Sequence, residues 1–328
     1  MVTIIPPLAG GRNPAGGFLL HFSPAWGIVE KAAPGGPGKG VLSPQRNGGT
    51  NMLFLVLATL SSSVLALVLK RLDSGNTYGV YFFNYITCAL LSFLTLEDKA
   101  LWRGDPLPLW LGAVGGLVYL ASLAVYGYSI RKSGAVLASV FTRLGVLVPI
   151  GISVAFLGER PSWLQGAGIA LAVAAAVVMN GLPRGGASRP GGKLLLPLLL
   201  TLLFNGCSDS MSKIFAYAGR REEDGLFVFF IFFFAGLFTL VLLLRQRKGL
   251  ALRDVLLGAL VGVPNFCASR LLLAALTRLP AFVVYPCYSV GAILVISLCS
   301  VLLFHERLSR RQWGAVGMIL AAVALLNL

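Results

Sequence analysis

From residue 52 to its end the chain is a succession of apolar runs, each about as long as a bilayer is thick. A helix needs about 20 mostly apolar residues to cross the hydrocarbon core. Ten runs reach or approach that length: about 52–69, 78–96, 107–129, 135–157, 162–181, 194–217, 226–244, 254–277, 280–304 and 311–327. The connections are short, so no soluble domain fits between them. The expected fold class is an all-α integral membrane protein with ten transmembrane helices. Composition agrees: 57% of the residues are hydrophobic and 12% are charged, about half the charged share of a soluble domain. That argues against a water-soluble enzyme.

Residues 1–51 differ. Seven of the 17 prolines and 11 of the 39 glycines lie in the first 50 positions, and such a segment cannot bury enough apolar surface to fold alone. Two readings are open: a disordered cytoplasmic extension, or a start codon assigned too early, with Met52 as the true first residue.

The ten runs are two copies of five. Residues 156–181 align with 303–328 at a constant offset of 147, so that Glu159 meets Glu306, Arg160 meets Arg307, Ser162 meets Ser309, Gln165 meets Gln312 and Asn180 meets Asn327. Further back the offset drifts to 146, where Gly112 and Gly116 meet Gly258 and Gly262. At 143, Lys70 meets Lys213. The expected domains are 52–181 and 194–328, with 182–193 as linker. Because five is odd, the second copy enters the membrane from the opposite side, which gives an inverted repeat. Two such bundles rocking around a central site suit alternating access.

A Gly-Glu-Arg or His-Glu-Arg triplet, then Gln, then a Gly/Ala-rich last helix, occurs once per copy. Glu159, Gln165, Glu306 and Gln312 carry this pattern, which resembles the EamA domain of the drug/metabolite transporter superfamily over residues 52–328. The resemblance implies a secondary transporter of the plasma (inner) membrane. It implies a central cavity ringed by helices 1–4 and 6–9, with helices 5 and 10 peripheral and both termini cytoplasmic. For the two glutamates themselves, helix-end capping with an interfacial ion pair stands beside a gating role.

Loop charges oppose that orientation. Calling the face of the N-terminus side A, its loops after Met52 carry seven Lys and Arg, eleven with those of the first 51 residues, against fourteen on side B. By the positive-inside rule side B is then the cytoplasmic one. The formal charge of +15 is not a nucleic-acid footprint, because 25 of the 27 basic residues lie in loops, at helix ends or in the N-terminal segment, where they suit lipid headgroups.

Three charges remain at bilayer depth, where they are costly and mark function by default: Arg143, Asp209 and Arg270. Counted from the span centres, Asp209 and Arg270 lie within about 2 Å of one another in depth, so an ion pair between them is expected, with a coupling role for Asp209 as the alternative. Arg143 lies roughly 11 Å from that level. Without an evident acidic partner, its guanidinium fork suits a carboxylate or phosphate, with backbone carbonyls or Asp209 as the alternative partners. Neutral polar residues at similar depth complete the expected substrate site: Ser139, Thr142, Tyr285, Tyr288, Ser289, Asn84, Tyr119 and Asn265, with Tyr85, Tyr126, Tyr128, Asn205, Ser208 and Ser269 nearby.

The five cysteines form no CxxC pair, and the two histidines, His21 and His305, lie far from them. Neither a metal site nor a disulfide framework is expected. No phosphate-binding glycine loop and no catalytic triad can be assembled, so neither a cofactor nor enzymatic activity is expected. The expected function is secondary transport, export more than uptake, of a small polar or anionic metabolite such as an amino acid. A proton-coupled drug or cation antiporter using Asp209 and a non-transporting membrane subunit are the alternatives. The expected partners are the small-molecule substrate and membrane lipids.

Overall fold

The computed structural model describes residues 48–71, 76–96, 105–133, 135–180, 192–246, 249–304 and 309–328. These form eleven α-helices: α1 Gly48–Arg71, α2 Thr77–Leu94, α3 Leu107–Ser133, α4 Ala135–Leu144, α5 Leu147–Phe156, α6 Trp163–Asn180, α7 Gly192–Ala218, α8 Asp224–Gln246, α9 Leu252–Leu276, α10 Ala281–Phe304 and α11 Arg310–Leu326. There is no strand among the described residues. Among the described residues seven stretches are long and apolar enough to cross a membrane, and Asn51–Leu65 and Trp163–Met179 are shorter apolar helices. Residues 1–47, 182–191 and Glu306 lie outside the described residues.

One expected helix is two. The fourth span breaks between α4 and α5 at Gly145-Val146, and Pro149 explains the place. A proline has no N–H to give to the carbonyl four residues back, and its ring crowds that carbonyl. Here that carbonyl belongs to Gly145, and the Val148 N–H takes it instead, three residues on, at 3.0 Å. Pro197, Pro264 and Pro286 lie inside α7, α9 and α10 without dividing them.

The matched glycine pairs serve packing between the two copies. Gly112 and Gly116 lay α3 directly on the backbone of α8, while Gly258 and Gly262 do the same for α9 on α2. A side chain at any of them would collide with the facing helix. The last helices of the two copies, α6 and α11, pack on one another. A buried cluster gathers Leu55, Val146, Ile150, Leu276, Phe282, Val284 and Leu326 from both copies. It lies where α5 and α10 begin and α9 ends. The α10 helix packs there on α5, whereas no comparable contact joins α10 to α4 among the described residues.

Candidate functional site

The space left between α4 and α10 is a cavity of about 300 Å³, lined by Tyr126, Ser139, Thr142, Arg143, Val146, Asn205, Asp209, Tyr285, Tyr288 and Ser289. Four elements build it: α3, the α4–α5 segment, α7 and α10. The α4 helix turns Ser139, Thr142 and Arg143 inward from consecutive turns. Arg143 stands in the last turn before the break. Tyr126 of α3 reaches Ser139, its hydroxyl 3.4 Å from the serine oxygen. The floor is held by Tyr285, whose hydroxyl donates to the backbone carbonyl of Asp209 at 2.6 Å and so ties α10 to α7.

The break is fastened to α7. The side-chain amide of Asn205 donates to the Thr142 carbonyl at 3.1 Å. At the break itself, Gly206 approaches so closely that a Cβ there would overlap Val148 and the Gly145 carbonyl. This contact brings the two charges into one space. Arg143 follows Thr142, and Asp209 lies one turn past Asn205. The electrostatic neighbours of Arg143 are Tyr288, Tyr126 and Asp209. Yet no ion pair within 4.0 Å joins Arg143 to Asp209, and neither side chain makes a hydrogen bond to a described residue. Two opposite charges thus face one cavity with a gap between them.

The expected pair of Asp209 with Arg270 is not formed. Arg270 sits six residues from the end of α9, with its guanidinium against Gly225 at the start of α8, and it is an electrostatic neighbour of Asp224. Counting residues from a span centre assumes helices of equal tilt. Instead the long Arg270 side chain reaches toward the helix end, as buried cations do near an interface. Three further expected site residues also stay outside the cavity lining. Asn265 donates to Asn84 at 3.1 Å, a bond that fastens α9 to α2 beside their glycine contact. Tyr119 packs edge-on against Phe232 of α8, with ring centroids 6.5 Å apart. Among the described residues no His, Cys, Asp and Glu cluster could hold a metal ion.

The sequence profile of the EamA-like transporter family matches residues 50–181 and again 194–328. The chain belongs to the EamA-like transporter family. It is a multi-pass membrane protein built from two EamA-like repeats. A solved structure described only as the crystal structure of a protein superimposes with a TM-score of 0.69, over 84% of this chain and 96% of the other, at 17% identity. That likeness shows the fold alone. No curated protein matches the chain.

The EamA-like motif residues have concrete tasks. Ser162 and Gln165 form a reciprocal cap at the start of α6: the Ser162 N–H donates to the Gln165 side chain at 2.9 Å, and the Gln165 N–H donates back to the serine oxygen at 3.2 Å. Ser309 and Gln312 repeat this at α11, at 2.8 and 3.4 Å. Each pair satisfies two backbone groups that a helix start leaves unpaired. Glu159 does something different. Gly158, with φ at 73°, turns the chain sharply after α5 and directs Glu159 inward. Its two carboxylate oxygens accept the Ala281 N–H at 3.1 and 2.9 Å, capping α10. The first of them also meets the Lys213 ammonium of α7 at 2.6 Å, with both side chains at most 10% exposed. By sequence Lys213 counts among the loop cations of side A, but it lies buried inside α7, and its match to Lys70 was the signal that set it apart.

Proposed function

We propose that the chain is a ten-span secondary transporter that moves a small polar or anionic metabolite, such as an amino acid, through the cavity between α4 and α10 by alternating access. The observation that carries this reading is the pair of unpaired charges facing one cavity. Arg143 takes a carboxylate in two parallel hydrogen bonds. Asp209, across the gap, takes an ammonium group. A plain anion would leave Asp209 without a partner and facing a like charge, whereas a molecule bearing both charges satisfies both walls. The hydroxyls of Ser139, Thr142, Ser289, Tyr126 and Tyr288 complete the polar lining. The broken α4–α5 segment supports the same reading, since discontinuous helices at mid-membrane build substrate sites in carriers. So does the meeting of Glu159 with Ala281 and Lys213, which suits alternating spans with the ends of α5 and α7 and the start of α10 on one face. Plasma-membrane location, cytoplasmic termini and an export direction follow from family resemblance.

A second reading keeps the cavity and makes Asp209 the carrier of a proton or cation in exchange for a drug. It is favoured by Asp209 lying on the cavity wall without a hydrogen-bonded partner. A thermal-shift screen of the purified protein separates the two. Amino acids, their amides, their deaminated acids and lipophilic cations are tested at two pH values on wild type, Arg143→Ala and Asp209→Asn. The transporter reading expects the largest shift with an intact amino acid and loss of that shift in both variants. Shifts with cations alone, abolished only by Asp209→Asn, would install the second reading. No shift with any compound would count against both.

A further inference from the structure

We propose that Glu159, Lys213 and the N-terminus of α10 form a gate that closes the cavity on side A, and that opening it requires this buried ion pair to part. The proposal rests on reading the chain as a carrier. The three groups join the two repeats: Glu159 belongs to the first, while Lys213 and Ala281 belong to the second. Glu159 is 122 residues from Ala281, so its carboxylate bonds across the interface that alternating access must open.

The position is that of a closure. Lys213 lies one helical turn past Asp209 on α7. Ala281 lies one turn before Tyr285 on α10. Tyr285 in turn bonds the Asp209 carbonyl at 2.6 Å. The latch therefore sits beneath the cavity floor, on the side where Val146 of the break and Ile150 of α5 pack in one cluster with Phe282 and Val284 of α10. Toward the other end of the cavity, α4 makes no comparable contact with α10 among the described residues. The apolar cluster excludes water, and the ion pair with the helix cap holds the cluster shut.

The chemistry suits a two-state device better than a permanent lock. A buried ion pair roughly balances its own desolvation, but removing one partner strands a charge and strongly disfavours the closed arrangement. Lys213 also has an alternative partner on its own helix. Asp209 stands four residues before it, in the favourable acid-before-base order, and in the closed state the lysine points to Glu159 instead. A group that fills Asp209 from the cavity removes that alternative and keeps Lys213 on the latch. Substrate occupancy and closure on side A are then coupled through one lysine.

Thiol labelling tests the gate without needing a known substrate. Ser289 on the cavity wall is changed to cysteine in the full chain, with the five native cysteines replaced by alanine. A membrane-impermeant thiol reagent is applied from side A to sealed vesicles whose orientation is set by a control cysteine at exposed Arg160. The parent is expected to label slowly from side A. Glu159→Gln and Lys213→Gln are each expected to label roughly tenfold faster or more, and the swapped pair Glu159→Lys with Lys213→Glu to return toward the parent rate. Side A labelling that stays at the parent rate in both single variants would overturn the gate. So would failure of both singles and of the swap to fold, since that would assign the pair to stability alone. Faster labelling in a protein that transports nothing would keep the gate and sink the carrier reading, so the two failures are distinguishable.

Discussion

The fourth segment of the first repeat and its counterpart in the second, α10, start from similar sequences and end as different objects. Gly145 and Gly291 match within one residue of the repeat offset, and each marks a close approach to a helix of the other copy. Gly145 lies against Gly206 of α7, while Gly291 faces the Thr59 side chain of α1. In the first repeat three effects converge there. Pro149 withholds the N–H that would reach the Gly145 carbonyl, Asn205 takes the Thr142 carbonyl from outside, and Gly206 lets α7 come close. The helix breaks, and Arg143 is left in the last turn before the gap. In the second repeat Pro286 lies in the second turn of α10, where it likewise withholds an N–H, here from the Phe282 carbonyl. Thr59 spends its hydroxyl on its own helix, donating to the Leu55 carbonyl at 2.8 Å, so α10 runs through. A duplicated unit has thus become a functional asymmetry: one wall is broken and charged, and the facing wall is continuous, with tyrosines and a serine.

That contrast can be broken in graded steps. Gly206→Val should cost about 3 kcal/mol, because the new side chain has only Val148 and the Gly145 carbonyl to displace. Gly291→Ala should cost under about 1 kcal/mol, because the facing atom is the end of a threonine side chain 3.0 Å away. Thermal unfolding in detergent measures both, and equal losses would argue against the different packing of the two segments. Pro149→Ala returns an N–H to the break. It should raise stability by roughly 1 kcal/mol while slowing turnover several-fold as Arg143 is drawn into a continuous helix, whereas Pro286→Ala, in a helix that is already continuous, should leave turnover unchanged. Ser162→Ala and Ser309→Ala should each cost about 1 kcal/mol or less, and by similar amounts, because the caps of α6 and α11 are the part of the repeat that stayed symmetric.

Much of this was legible before any coordinates. Helix positions follow from apolar run length, and the two repeats follow from the constant offset between matching residues. Ser139, Thr142, Arg143, Tyr285, Tyr288 and Ser289 were singled out as polar side chains at mid-span, and they line one cavity together with Tyr126, Asn205 and Asp209. What run length cannot supply is the direction a polar side chain faces. Asn84 and Asn265 have the same depth and chemistry as the cavity residues but spend their amides on each other. Arg270 was assigned to mid-membrane by counting, yet a long side chain and a helix near its end carry its charge toward Asp224. The partner of Glu159 was hidden for another reason. Arg160 adjoins it in sequence, but the left-handed turn at Gly158 sends the carboxylate across the repeat interface to Lys213.

The central claim is that the cavity between α4 and α10 binds the transported molecule through Arg143. Its most direct test is uptake of labelled amino acids by proteoliposomes carrying wild type, Arg143→Ala or Ser289→Ala, each checked for folding by its elution profile. Wild type should show measurable exchange. Arg143→Ala should lose about a hundredfold, the size of a lost charged bidentate contact, and Ser289→Ala only a few-fold. Exchange at the wild-type rate in folded Arg143→Ala would contradict the claim.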